Sequence, residues 1–167
     1  MQHALLYLSN LFIKLLPESR FFIFKRGLYS MCGIEMGRNV RICSSVVFHT
    51  NNIKIGNGVW IGPECRFIAA TGTMISIEDN VDIAMEVLMT TGSHIIGRRD
   101  RRAGPPSYKD ISIEKAVWIG ARSLIMGGAS IGCGSIVAAN SFVKTEVGKN
   151  VLVGGTPCKK IKDLSDE

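Results

Sequence analysis

The sequence predicts an all-β fold, a parallel β-helix whose coils are built from six-residue units. Three observations predict it. Aliphatic residues recur every six positions from Ile113 through Ile119, Ile125, Ile131 and Val137 to Val143. Small or β-branched residues hold the fifth place of those units, as Val117, Ser123, Ala129, Ser135 and Ser141. Glycines, 18 in all, collect where such units would turn a corner, as Gly120 and Gly132 do. A helix repeats every ~3.6 residues and a flat strand every two, so neither accounts for a sustained period of six. A short strand plus a corner does, and stacking such units buries the aliphatic residues in a column.

Residues 1–30 stand apart. Leu5, Leu6, Leu8, Leu11, Phe12, Leu15 and Leu16 recur at helical spacing, and Pro17 ends the run. Phe21, Phe22, Phe24, Leu28 and Tyr29 follow, interleaved with Arg20, Lys25 and Arg26, and predict a second short helix. This pair is read first as a cap over the open end of the stack, and second as an amphipathic element on a membrane surface. The two readings are compatible. There is no basic n-region or small-residue cleavage site, and Ala4 to Leu16 is too short to span a bilayer.

The repeats occupy 31–148. Ile34, Val40 and Val46 share one phase, Ile55, Ile61 and Phe67 another, and Ile77, Ile83 and Met89 a third that agrees with the register resumed at Ile113. Slips near 49–53 and 69–73 are corner insertions. Residues 92–112 are polar, basic and turn-rich, and predict an extruded loop. A tail, 149–167, closes the chain. Three units make one coil of about eighteen residues with a strand on each of three sides.

The chain of 167 residues is 46% hydrophobic, enough for one domain with a sizeable core. A net charge of +6 favours phosphate-bearing ligands or anionic headgroups, but no aromatic-and-basic pattern marks a nucleic-acid site. Cys32, Cys43, Cys65, Cys133 and Cys158 form no CxxC pair and are read as reduced thiols, with no disulfide and no metal site.

Three stretches carry a resemblance: 117–132, beginning Val117-Trp118-Ile119-Gly120; 138–143; and Val153-Gly154-Gly155-Thr156-Pro157-Cys158-Lys159-Lys160-Ile161. Together they resemble the hexapeptide-repeat O-acetyltransferases, most closely the branch that acetylates bacterial surface polysaccharides (colanic acid, capsule, O-antigen), with maltose and galactoside acetyltransferases as near relatives. The resemblance implies a left-handed coil, a homotrimer, acetyl-CoA as cosubstrate in a groove between subunits, and a saccharide acceptor; the reduced thiols separately suggest a cytoplasmic location, with residues 1–30 offering peripheral contact to the inner face of the membrane. His94, in Thr90-Thr91-Gly92-Ser93-His94, matches the family's catalytic histidine and is expected to act as general base. Glu86 lies eight residues earlier, placed either to orient that imidazole or to bind a sugar hydroxyl. The resemblance puts Trp118, Gly120, Ala121, Ala139, Lys144, Lys159 and Lys162 against CoA. Trp118 is expected at a corner beside the histidine, and Val59-Trp60-Ile61-Gly62 repeats its phrase far from that site.

Asp82, Arg98 and Arg99 are expected at the acceptor. Arg98, Arg99, Arg101 and Arg102 follow His94 closely and point to an anionic one. Where the family often reads Val-Thr-Lys-Asp, this chain has Val143-Lys144-Thr145-Glu146. A γ-class carbonic anhydrase would need three zinc-binding histidines, and His3, His49 and His94 lack that spacing. The alternatives carried forward are an antibiotic or other small-molecule acetyltransferase and a non-catalytic β-helix scaffold.

Overall fold

The computed structural model describes residues 2–165. Two helices, α1 (Gln2–Ile13) and α2 (Phe22–Met31), precede a three-sided stack of short parallel strands. Sheet A holds Glu35–Met36, Ile53–Ile55, Ile75–Ile77, Ile111–Ile113, Ser130–Ile131 and Glu146–Val147. Sheet B holds Arg41–Ile42, Trp60–Ile61, Asp82–Ile83, Trp118–Ile119, Ile136–Val137 and Val151–Gly154, and the antiparallel Lys159–Asp163 closes it. Sheet C holds Val47–Phe48, Arg66–Ile68, Leu88–Thr90, Leu124–Met126 and Phe142–Val143.

The six-residue beat is thus three buried columns. Ile55, Ile77, Ile113, Ile131 and Val147 stack inside sheet A. Ile42, Ile61, Ile83, Ile119, Val137 and Val153 do so inside sheet B. Phe48, Phe67, Met89, Ile125 and Val143 fill sheet C, where the rings of Phe48 and Phe67 stack at 5.0 Å. In the first coil the strand residues are Met36, Ile42 and Phe48, two places later than the phase of Ile34, Val40 and Val46. Both positions face inward, because the small-residue place also points into the core: Val40, Val59, Val81 and Val117 are all buried. Hydrophobicity alone therefore does not separate the two registers.

The corners explain the small residues. Between sheets A and B the chain turns through positive φ at Asn39, Gly58, Asn80, Ala116, Gly134 and Asn150, the conformation that Gly and Asn adopt at least cost. Gly120 meets a different constraint: a Cβ there would lie 2.5 Å from the backbone nitrogen of Ala139 in the next coil.

Residues 92–112, expected as a loop, are mostly a hairpin. Gly92–Ile96 pairs antiparallel with Ala103–Tyr108, and Ile111–Ile113 is already back in sheet A. The tail continues the stack instead of leaving it, since Val151–Gly154 pairs with Ile136–Val137.

The first coil has an open strand edge, and the helices satisfy it. The Asn10 amide donates to the Phe48 carbonyl at 2.8 Å, while its oxygen accepts from Phe48 N and from the Tyr29 hydroxyl. Lys25 is fully buried, and its Nζ donates to the Ile42 carbonyl (2.9 Å), the Glu18 carbonyl (2.8 Å) and Ser44 Oγ (2.8 Å). Arg26 donates to the Gly37 carbonyl. Lys25→Met strands these acceptors and should lower the free energy of urea unfolding by about 2–4 kcal/mol.

The five cysteines are free, with Cys32, Cys43 and Cys65 buried and Cys133 and Cys158 half-buried. Burial pushes the Cys65 thiol up to about 12 and raises those of Cys43 and Cys158. Reaction with a chromogenic disulfide reagent at mildly alkaline pH should therefore titrate no more than Cys133 and Cys158 in the folded chain, and all five after denaturation.

Candidate active site

His94 lies on the first strand of the hairpin, opposite Pro106. From His94 to Ile96 the strand advances two residues while its partner goes from Pro106 to Ala103, so a bulge falls at Gly104-Pro105. Prolines lack the N–H that a regular ladder needs, and a bulge is where sheets tolerate them. The bulge turns the Gly104 carbonyl toward the imidazole, 2.8 Å from His94 Nδ1. A carbonyl oxygen only accepts, so Nδ1 carries the proton, and in the neutral ring Nε2 keeps its lone pair. Gly97 and Gly104 pack against each other across the hairpin, where any Cβ would collide with backbone.

His94 lines a cleft of about 360 Å³ at the corner between sheets C and A. Ser93, Ser107, Lys109, Met126, Gly127, Phe142 and Lys144 also line it. Of the residues expected at a site, the structure brings only Lys144 to His94 within one chain. Arg98 and Arg99 stand at the hairpin's turn, exposed.

The rest gather elsewhere. Trp118 is in a sheet B strand, not at a corner, paired with Asp82 on one side and Ile136 on the other, and the residue is 53% exposed. Trp60 is not remote from it. It occupies the same outward column, with Asp82 between them, and differs in being covered: Phe22 packs edge-on at 6.1 Å and Arg41 lies over the ring at 5.1 Å. Gly120, Ala121 and Ala139 form the corner between sheets B and C, bound rung to rung through Gly120 N to the Val137 carbonyl and Asn140 N to the Ala121 carbonyl. Lys159 and Lys162 are exposed on the antiparallel strand that closes sheet B.

Glu86 belongs to that B–C corner, at φ 59°, in a column of positive-φ residues with Glu64, Arg122 and Asn140. Its carboxylate accepts two bonds from the Arg122 guanidinium, Nε to Oε2 at 2.8 Å and Nη2 to Oε1 at 3.2 Å. The pair raises the arginine's pKa, chiefly through that hydrogen bond. Within one chain the partner of His94 Nδ1 is thus Gly104, and the partner of Glu86 is Arg122. Among the described residues no three His, Cys, Asp or Glu side chains cluster as a metal site.

Three features lay outside the sequence reading. The Gly104 carbonyl was signalled by Gly104-Pro105-Pro106. The serines and Lys109 of the cleft carry no motif. Arg122 is 36 residues from Glu86, a separation that hides an adjacency in space.

Comparison with known proteins bears on the whole chain. The family described as the hexapeptide repeat of succinyl-transferase matches residues 110–145. The galactoside O-acetyltransferase of Escherichia coli K12 is 30% identical over 132 residues, 78% of this chain and 64% of that protein. The chain spans 55–64% of the length of the first curated relatives it matches. A hexapeptide-repeat-containing acetyltransferase from Vibrio cholerae superposes with a TM-score of 0.81 at 30% identity, over 99% of this chain and 92% of that one. The same protein complexed with acetyl coenzyme A gives 0.85 at 29%, over 99% and 88%. A galactoside acetyltransferase in complex with coenzyme A gives 0.86 at 25% identity, over 99% and 82%. These neighbours are consistent with a left-handed coil.

The geometry at His94 makes a spectroscopic prediction. Long-range ¹⁵N–¹H correlation on ring-labelled protein at alkaline pH should show Nδ1 protonated and Nε2 bare. The opposite tautomer would remove the Gly104 contact as the orienting bond.

Proposed function

The chain belongs to the hexapeptide-repeat acetyltransferases, and we propose that it transfers an acetyl group from acetyl-CoA to a sugar hydroxyl in the making of a bacterial surface polysaccharide. The observation that carries this reading is His94: an imidazole fixed at Nδ1 by the Gly104 carbonyl, with Nε2 free, in a cleft that also holds Lys144. Similarity to a galactoside O-acetyltransferase and to a protein complexed with acetyl coenzyme A supports the acetyl donor and a sugar acceptor.

In this reading the acceptor hydroxyl attacks the thioester carbonyl as His94 Nε2 takes its proton. The tetrahedral intermediate expels the CoA sulfur, and the imidazolium returns the proton to it. The products are the acetyl ester and CoA thiol, and the imidazole is neutral again. While the ring is charged, the Gly104 carbonyl stabilises Nδ1–H. Oxyanion donors come from backbone amides of the CoA groove near Ala121 and Ala139, since the Gly120 amide is held by the Val137 carbonyl.

The prism separates the two halves of this site. His94 and Lys144 stand at the C–A corner. Trp118, Gly120, Ala121, Ala139, Lys159 and Lys162 stand on sheet B and its B–C corner. A second copy with its B–C corner against the first copy's C–A corner would unite them, and a ring of three such copies would satisfy every corner, so the reading includes a homotrimer with CoA between subunits. Glu86, pinned by Arg122 on the CoA side, then acts across that interface on an acceptor hydroxyl, with Asp82 beside Trp118 for another. Arg98 and Arg99 at the hairpin turn suit an acceptor bearing a carboxylate or a diphosphate.

Calorimetry with acetyl-CoA should show binding, and thiol release should depend on a saccharide acceptor. His94→Ala should lower kcat by about 10²–10⁴-fold and leave acetyl-CoA affinity unchanged. A wild-type chain that binds no acetyl-CoA overturns the enzyme reading in favour of a scaffold. Full turnover by His94→Ala overturns the assignment of the base.

A further inference from the structure

The inner faces of α1 and α2 are accounted for by the first coil, but their outer faces are not. On α1, Leu6, Ser9 and Ile13 are buried, while Leu8, Leu11, Phe12 and Leu15, the last just past its end, are exposed on the opposite side. On α2, Ile23 and Phe24 are exposed as well, Ile23 at 81% and Leu15 at 83%. The rings of Phe12 and Phe24 meet edge-on at 6.1 Å, which joins the two helices into one continuous apolar surface. Such a surface is far from the scattered single apolar residues of an ordinary exterior.

Its charge is predominantly positive. Glu18 is the only acidic residue from 1 to 34, and its carboxylate accepts from Ser45 N at 3.3 Å. Lys14 and Arg20 are exposed between the two helices. Arg26, Arg38 and Arg41 line a groove of about 590 Å³ against Phe22 and Ile23. No helix among the described residues is long and apolar enough to cross a membrane. An apolar face with a basic rim, on helices this short, suits lying in the interface plane of an anionic bilayer.

We propose that the outer face of α1 and α2 docks this protein on an anionic membrane surface. The face lies at the end of the prism, where α1 touches Val47–Phe48 and α2 touches Glu35–Met36 and Arg41–Ile42 of the first coil. Side-by-side association of prisms uses the flanks and leaves this end open. Two copies joined end to end would bring two basic rims together, whereas anionic headgroups complement them. The proposal does not rest on acetyl transfer. It places the chain on a membrane surface, beside any acceptor carried on a lipid.

The test is co-sedimentation of the full chain, without substrate, with vesicles of phosphatidylcholine alone or mixed with phosphatidylglycerol. Binding to the mixed vesicles should exceed binding to the neutral ones and weaken as salt rises to about 0.5 M. L15E/I23E should lower binding by about tenfold while keeping the wild-type circular dichroism and oligomer size. K14E/R20E should abolish the preference for phosphatidylglycerol. Absence of wild-type binding to the mixed vesicles overturns the proposal. So does a loss of oligomer size in L15E/I23E with vesicle binding intact, which would assign the face to contact between copies.

Discussion

Successive coils are joined by parallel ladders, such as Asp82 to Trp118 to Ile136, and a ladder of ~4.8 Å per rung limits what each position can hold. Whatever fills the inside of one rung must fit beneath the same position of the next. Aliphatic columns satisfy that condition, and so do the αL corners of Asn and Gly. Gly120 shows the limit of the rule, since the following coil passes too near to admit even a methyl group. Side chains that break the rule do so outward, as Trp118 does, or are tied to a neighbouring rung, as Glu86 is to Arg122.

A stack of this kind solves its interior and leaves its ends unsolved. At the start, side chains and not backbone close the edge: Asn10, Lys25 and Tyr29 each bind a main-chain oxygen of the first coil. Burying Lys25 is tolerable only because carbonyls and a hydroxyl surround its ammonium. At the other end, Lys159–Asp163 turns back antiparallel on Val151–Gly154 and covers the last sheet B strand. The helices therefore contribute to stability with one face and leave the other available.

Much of this was readable because a column is a sequence period. The beat of six survives the hairpin: Ile77 and Ile113 pair directly although they are 36 apart, a multiple of six. The first coil was harder to read, since Ile34, Val40 and Val46 face inward as surely as Met36, Ile42 and Phe48. The place of Trp60 was hidden for a related reason. Distance along the chain says nothing about shared columns until the lengths of the corner insertions are known, and the same ignorance concealed Arg122 from Glu86. His94 was found through likeness to a family. The carbonyl that fixes its tautomer was written in Gly104-Pro105-Pro106, but only pairing across the hairpin shows what those residues do.

Those two prolines have an effect beyond the imidazole. An exposed arm of two strands is ordinarily an invitation to further strands, and copies of one chain at high concentration accept it readily. Pro105 and Pro106 have no N–H to offer an incoming backbone, and the bulge beside them breaks the flat spacing such pairing requires. The Ala103–Tyr108 edge of the hairpin is thereby protected against pairing with further strands.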